Sequence, residues 1–259
     1  MPDFTDDQLQ RYSRQLILAE VGGEGQRRLQ QAKVLVIGAG GLGSPAALYL
    51  AAAGVGHIGI VDSDAVELSN LQRQLLHTTA DVGTAKVDSA RRTLIALNPE
   101  TEVLTYPLRL TSQNILGVIA DYDIVVDATD NHPARFLIND ACVLSRKPFA
   151  HGSVLRFEGQ VMTILPGEGP CYRCLFEQPP PPGLLPSCQE AGVLGAVPGV
   201  IGTIQATEVI KWVLGKGKLL VGRLLIYDAL NLEFRQVAVP RNPDCPVCGE
   251  RPSITELTD

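Results

Sequence analysis

The stretch that decides the fold is Lys33-Val34-Leu35-Val36-Ile37-Gly38-Ala39-Gly40-Gly41-Leu42-Gly43-Ser44-Pro45. Its apolar opening, too short for a helix, reads as a strand buried on both faces of a parallel sheet. A glycine turn follows directly. Gly38, Gly40 and Gly43 make a G-x-G-x-x-G pattern and Gly41 adds a further glycine. Ser44-Pro45 then reads as a helix start, with proline at the first helical position where its missing N–H costs least. Gly54 ends that helix, His57-Ile58-Gly59-Ile60-Val61 is a second strand, and Asp62 sits at its end. In this context the glycines let backbone approach a phosphate, the helix N-terminus favours its charge, and the acid suits ribose hydroxyls. Gly38, Gly40, Gly41, Gly43 and Asp62 are therefore candidate nucleotide-binding residues. The alternative for the turn is a tight bend without a ligand.

Outward from this unit the alternation continues. Helices are expected over 84–97, 112–119 and 132–145, and strands over 102–106 and 124–126. Strand–helix alternation of this kind predicts a doubly wound, mainly parallel sheet. Residues 1–31 read as a helical arm, with Leu9, Tyr12, Leu16 and Ile17 at helical spacing. Past about residue 150 the rhythm changes. Segments 159–165, 224–228 and 233–239 look like antiparallel strands flanking a helix whose apolar face holds Ala206, Val209, Ile210 and Val213. The run Gln178-Pro179-Pro180-Pro181-Pro182-Gly183 fits neither helix nor central strand and reads as a stiff surface connector.

Composition narrows the function. The 259 residues carry a formal charge of −6, so nothing marks the chain as a binder of nucleic-acid backbone or anionic membrane. Glycines interrupt the one long apolar stretch, and residues 1–7 lack a signal-peptide core, so the expectation is a soluble cytoplasmic protein. In that compartment six cysteines point to metal or redox chemistry rather than a disulfide framework.

Arg73 and Lys86 are candidate phosphate-binding cations, although each also reads as an ordinary surface charge. Lys86, in the first turn of a helix, is ill placed beside the helix dipole unless an anion joins it. Asp127 and Asp130 fall just past a strand end, where open α/β sheets bind ligands, so one of them is a candidate Mg²⁺ ligand. Asn131 reads as a helix N-cap. Cys171-x-x-Cys174 and Cys245-x-x-Cys248 supply four thiolates, the number for a closed, structural zinc site; paired redox motifs are the alternative. Cys142 reads as a core residue, and Cys188 either as a bystander or as an exposed nucleophile. His57 falls in a strand, and His77, His132 and His151 have no evident partner in the sequence.

Taken together, these motifs resemble the MoeB/ThiF/HesA family, bacterial relatives of ubiquitin-activating enzymes. The likeness runs through Arg11-Tyr12-Ser13-Arg14-Gln15, the Gly38–Ser44 turn, Asp62, Leu68-Ser69-Asn70-Leu71-Gln72-Arg73-Gln74, residues 83–86, Thr129-Asp130-Asn131, both cysteine pairs and residues 187–192. It implies one domain over 1–259 with a Rossmann-like sheet, mainly parallel, extended by antiparallel strands and carrying a four-cysteine zinc knuckle. The arm would be 1–31, the nucleotide-binding half 32–150, and the carrier-binding and zinc half 151–259. The implied activity is ATP-dependent adenylation of the C-terminal Gly-Gly carboxylate of a small ubiquitin-fold sulfur carrier, preparing it for thiocarboxylation. The resemblance implies that Arg73 and Lys86 hold phosphates, Asp130 binds Mg²⁺, Asp62 takes the ribose, and Asn70, Asn131 and Gly41 line the nucleotide pocket. It also implies that Arg14 reaches the neighbouring site in a homodimer, and it makes Cys188 a candidate sulfur relay. With no rhodanese-like segment in this sequence, a separate sulfur donor is expected. A non-catalytic carrier-binding subunit and an NAD-dependent oxidoreductase remain as alternatives.

Overall fold

A computed structural model describes residues 4–181 and 191–258. Strands β1 (Lys33–Ile37), β2 (His57–Val61), β3 (Glu102–Tyr106), β4 (Ile124–Asp127), β5 (Phe149–Leu155), β6 (Glu158–Ile164), β7 (Arg223–Asp228) and β8 (Glu233–Ala238) form one sheet. Its order is β3-β2-β1-β4-β5-β6-β7-β8, parallel from β3 to β5 and antiparallel beyond. The register pairs Ile37 with both Val61 and Asp127. The carboxyl ends of β2, β1 and β4 therefore finish level, and the residues after them share one edge.

Alternation along β1 builds two cores. Val34 and Val36 face one cluster, into which α4 (Gly43–Ala52) and α9 (Ala196–Leu214) pack with Ala46, Leu50, Ile201 and Val209. Leu35 and Ile37 face the other, closed by α6 (Ile115–Ile119) and α7 (His132–Leu144) through Ile115, Ile138 and Ala141. Cys142 is fully buried there, as expected.

Several boundaries differ from the sequence reading. Helix α4 starts at Gly43 with Leu42 as its cap, so Pro45 is the third helical residue, still in the turn whose N–H groups need no helical acceptor. Helix α5 (Lys86–Leu97) starts two residues late because Ala85 bridges Ala65. Strand β5 went unforeseen, since His151-Gly152-Ser153 breaks its apolar pattern. Helix α9 starts well before its recognised face, masked in sequence by Pro198, Gly199 and Gly202. Gly202 is required there, since a Cβ would lie 2.2 Å from the Leu42 carbonyl oxygen. The arm is not one helix but three, α1 (Asp6–Arg11), α2 (Ser13–Leu16) and α3 (Gly22–Gln31). Of its four periodic apolar positions only Tyr12 is buried, with its hydroxyl donating to Glu100 (3.2 Å) and accepting from Asn98 (2.9 Å). Leu9 and Ile17 are exposed. Of the proline run, residues 178–181 take neither helix nor strand, and Pro182 and Gly183 lie outside the described residues.

Candidate active site

A cleft of about 980 Å³ opens at the level strand ends, between the glycine turn, the segment after β2 and the start of α7. Two of the glycines are required sterically. Gly38 has φ +100°, and a Cβ there would meet the Ala128 carbonyl oxygen at 2.7 Å. A Cβ on Gly43 would lie 1.8 Å from the Gly38 carbonyl oxygen, so Gly43 is a packing glycine behind the wall rather than part of it. Gly38, Gly40 and Gly41 line the cleft.

Asp62 ties the turn to β2. Its two carboxylate oxygens accept from Ala39 N (2.8 Å) and Asp64 N (2.9 Å). Burial raises its pKa, against the pull of Lys86. The Lys86 ammonium, buried at the first residue of α5, contacts Asp64 at 2.9 Å and Asp62 at 3.9 Å. Those acids supply the negative charge its position demands. Asp64, two residues past the recognised acid, is a site residue that the sequence reading missed. Arg73 also lines the cleft, its Nη1 donating to the Ser69 carbonyl (3.1 Å). Asn70 itself is not among the residues that line it. Asn70 is buried, its Oδ1 accepts from Glu67 N and its carbonyl from Arg73 N, so it holds the turn that presents Arg73. Arg14 is exposed on α2 and is not among the residues that line this cleft.

The two aspartates after β4 separate cleanly. Asp127 is fully buried: Oδ2 accepts from His151 Nδ1 (2.7 Å) and Oδ1 from the Thr129 hydroxyl (2.7 Å). Burial pushes its carboxyl up, but His151, Arg135 and Thr129 outweigh that and hold it below the usual carboxylate range. Asp130 is exposed within the cleft and, among the described residues, has no hydrogen bond or ion pair. It is the carboxylate free to take a cation. Asn131 caps α7 by accepting from Ala134 N (3.0 Å), and its neighbour Arg135 lines the cleft as well.

Two histidines without an evident partner in sequence have one in space. His151 meets Asp127. His77 is buried, its Nε2 bonded to the Ala39 carbonyl and its Nδ1 to the Ser89 hydroxyl, each at 2.9 Å. Burial lowers its pKa, so the ring is neutral near pH 7, Nε2–H donates to Ala39, and Nδ1 accepts from Ser89. His77 thus props the glycine turn from behind. Replacing it with alanine is expected to raise KM for the nucleotide about 3- to 10-fold, the range for one lost hydrogen bond, with glutamine restoring part of it. Steady-state kinetics on both variants checks this.

Cys171, Cys174, Cys245 and Cys248 converge, all four Sγ atoms lying within 4.8 Å of one another. Cys171–Cys245 and Cys174–Cys248 are 3.6 and 3.4 Å apart, near the roughly 3.8 Å edge of a tetrahedral zinc–tetrathiolate centre. Asn242 N–H donates to Cys174 (3.4 Å), the outer-shell support such a ligand needs. The donor set and spacing fit a zinc knuckle. It is clamped to α7: Tyr172 N donates to Asn139 (2.8 Å), and Arg173 grips Asp140 with two bonds of 2.7 Å. Arg173 and Asp140 also line the cleft and were not foreseen. Cys188 lies outside the described residues.

Residues 12–247 match the family described as ThiF. The chain belongs to the ThiF family. It is 55% identical to the sulfur carrier protein adenylyltransferase of Thermus thermophilus, covering 99% of this chain and 96% of that protein. It is 53% identical to the SAMP-activating enzyme E1 of Haloferax volcanii, over 94% and 90% of the two chains. Against the adenylyltransferase and sulfurtransferase MOCS3 of Culex quinquefasciatus identity is 54% over 99% of this chain, which spans only 59% of that longer protein. Among solved structures, Escherichia coli MccB with MccA-N7isoASN superposes with a TM-score of 0.82 at 25% identity, covering 93% of this chain and 75% of the other. The ThiF-family chain is an adenylyltransferase, and the oxidoreductase alternative falls. Among the described residues no helix is long and apolar enough to cross a membrane.

Proposed function

We propose that this ThiF-family enzyme adenylates the C-terminal Gly-Gly carboxylate of a small ubiquitin-fold sulfur carrier, using ATP and releasing pyrophosphate, as the step before thiocarboxylation in the cytoplasm. The observation that carries the reading is the pairing of Asp130, unengaged among the described residues, with Lys86, Arg73 and the bare glycine turn in one cleft. The names of two similar relatives support the class of substrate.

The chemistry follows from charge. A carboxylate is already ionised at neutral pH and needs no general base, which fits a cleft whose nearby histidines serve as props. The barrier lies in bringing an anion to a polyanion and in the charge that builds on pyrophosphate. Arg73 and Lys86 oppose both from fixed positions, and the turn N–H groups need little reorganisation to do the same. Asp130 would hold Mg²⁺, which when bound neutralises phosphate charge. Asp62 and Asn131 orient the nucleoside end. In a homodimer, Arg14 would add a cation to the neighbouring site. The four cysteines would hold zinc as a structural ion, since four thiolates leave no open coordination position.

Pyrophosphate–ATP exchange with a panel of Gly-Gly-ending carriers tests the reading. Carrier-dependent exchange supports it; a folded, metal-replete sample that exchanges with no carrier overturns it. Cys188 stands apart from adenylation in this scheme. Cys188→Ala is therefore expected to keep exchange within about twofold of the parent, any loss falling on later sulfur transfer, read by mass spectrometry of the carrier terminus.

A further inference from the structure

Arg135 is the cleft's unexplained charge. Five cations line the cavity: Arg73, Lys86, Arg109, Arg135 and Arg173. Lys86 pairs with Asp64 and Arg173 with Asp140, while Arg109 is exposed and Arg73 half-buried. Arg135 differs from all of them, because only 7% of it is exposed and, among the described residues, no carboxylate pairs with it. Asp127 is near enough to feel its charge but is already bonded to His151 and Thr129. The partners of Arg135 are neutral: Nη2 donates to the Thr129 carbonyl (3.1 Å), and the Tyr172 hydroxyl stands beside it. Its buried Nε has no acceptor among the described residues. A buried guanidinium with an idle donor, whose neighbouring carboxylate is committed to other partners, is costly unless an anion completes it.

The sheet order says which anion. Arg73 and Lys86 follow β2, on one side of the glycine turn, whereas Arg135 follows β4, on the other. On the β4 side the cleft continues to Val154 of β5 and to Val193, apolar walls suited to an extended chain rather than to a triphosphate. Arg135 also sits in the first turn of α7, where the helix dipole adds to its pull on an anion. We propose that Arg135 receives the carboxylate of the incoming substrate terminus and holds it beside Asp130 for attack. This rests on the adenylation reading and adds to it the residue that recognises the acceptor.

The test is binding without turnover. Full-length wild type and Arg135→Gln are titrated with a carrier ending in Gly-Gly acid and with the same carrier ending in Gly-Gly amide, alongside ATP. Wild type is expected to prefer the acid by roughly tenfold to a hundredfold, the range for a hydrogen bond to a charged group. Arg135→Gln should bind acid and amide alike while binding ATP within about twofold of wild type. Arg135→Lys, which keeps the charge but loses the fork, should recover part of the preference and covers the case of a glutamine variant that does not fold. Retained acid preference in Arg135→Gln overturns the proposal, as does no preference in wild type. A parallel loss of ATP affinity also overturns it, because Arg135 would then serve phosphate. Pyrophosphate exchange on the same wild-type sample reports separately on adenylation itself, so exchange with an unchanged acid preference sinks Arg135 alone.

Discussion

Asp130→Ala is expected to lower carrier-dependent pyrophosphate exchange by about 10²- to 10³-fold, the effect of removing one preorganised electrostatic group at a transition state. Circular dichroism and the unfolding midpoint should stay at parental values, because Asp130 holds nothing within the chain: it is exposed in the cleft and, among the described residues, forms no hydrogen bond or ion pair. Asp127, three residues earlier, gives the opposite contrast. It is fully buried between His151 and Thr129, so its removal strands a buried histidine and should cost stability of about 3–5 kcal/mol. If Asp130→Ala turned over at the parental rate, the Mg²⁺ role would fall. If it unfolded, the structural assignment of the two aspartates would be reversed.

That contrast marks what the sequence could and could not show. Position at a strand end made both aspartates candidates, and nothing local separates them. Their difference comes from His151, which the β4–β5 register sets directly opposite Asp127. The unrecognised strand β5 therefore concealed both the partner and the distinction. The turn from Gly38 to Gly43 was legible because its constraint is local: a positive φ and close backbone approaches that only glycine accepts. Lys86 was legible as an electrostatic anomaly whose resolution, Asp64, lies twenty-two residues away. Arg135 was the same anomaly, a cation in the first turn of a helix, and went unread because no motif drew attention to it. Asn70 carries a duty the motif did not show, since it holds the turn that presents Arg73. The arm misled through spacing: Leu9 and Ile17 hold helical periodicity with Tyr12, yet the chain breaks at Tyr12, between α1 and α2, and again after α2, and both residues are exposed.

Cys171→Ala is expected to lower bound zinc well below one ion per chain and the unfolding midpoint by about 10 °C or more, since a structural site contributes its binding free energy to folding and each kcal/mol shifts a chain of this size by roughly 2–4 °C. Cys171 is buried against Cys245 and joins a cluster that otherwise leaves sulfur donors packed together without an ion. The consequence reaches the cleft through α7. The knuckle's Tyr172 and Arg173 are bonded to Asn139 and Asp140, and that helix begins beside Asp130 and carries Arg135. Loosening the knuckle should therefore make exchange activity collapse at a lower temperature, with KM for ATP little changed well below the new midpoint. Metal analysis, calorimetry and exchange measured across temperature check the three parts together. A variant that kept one zinc and the parental midpoint would refute the four-thiolate site. One that lost zinc and stability but kept the parental thermal profile of activity would leave the site intact and refute its coupling to α7.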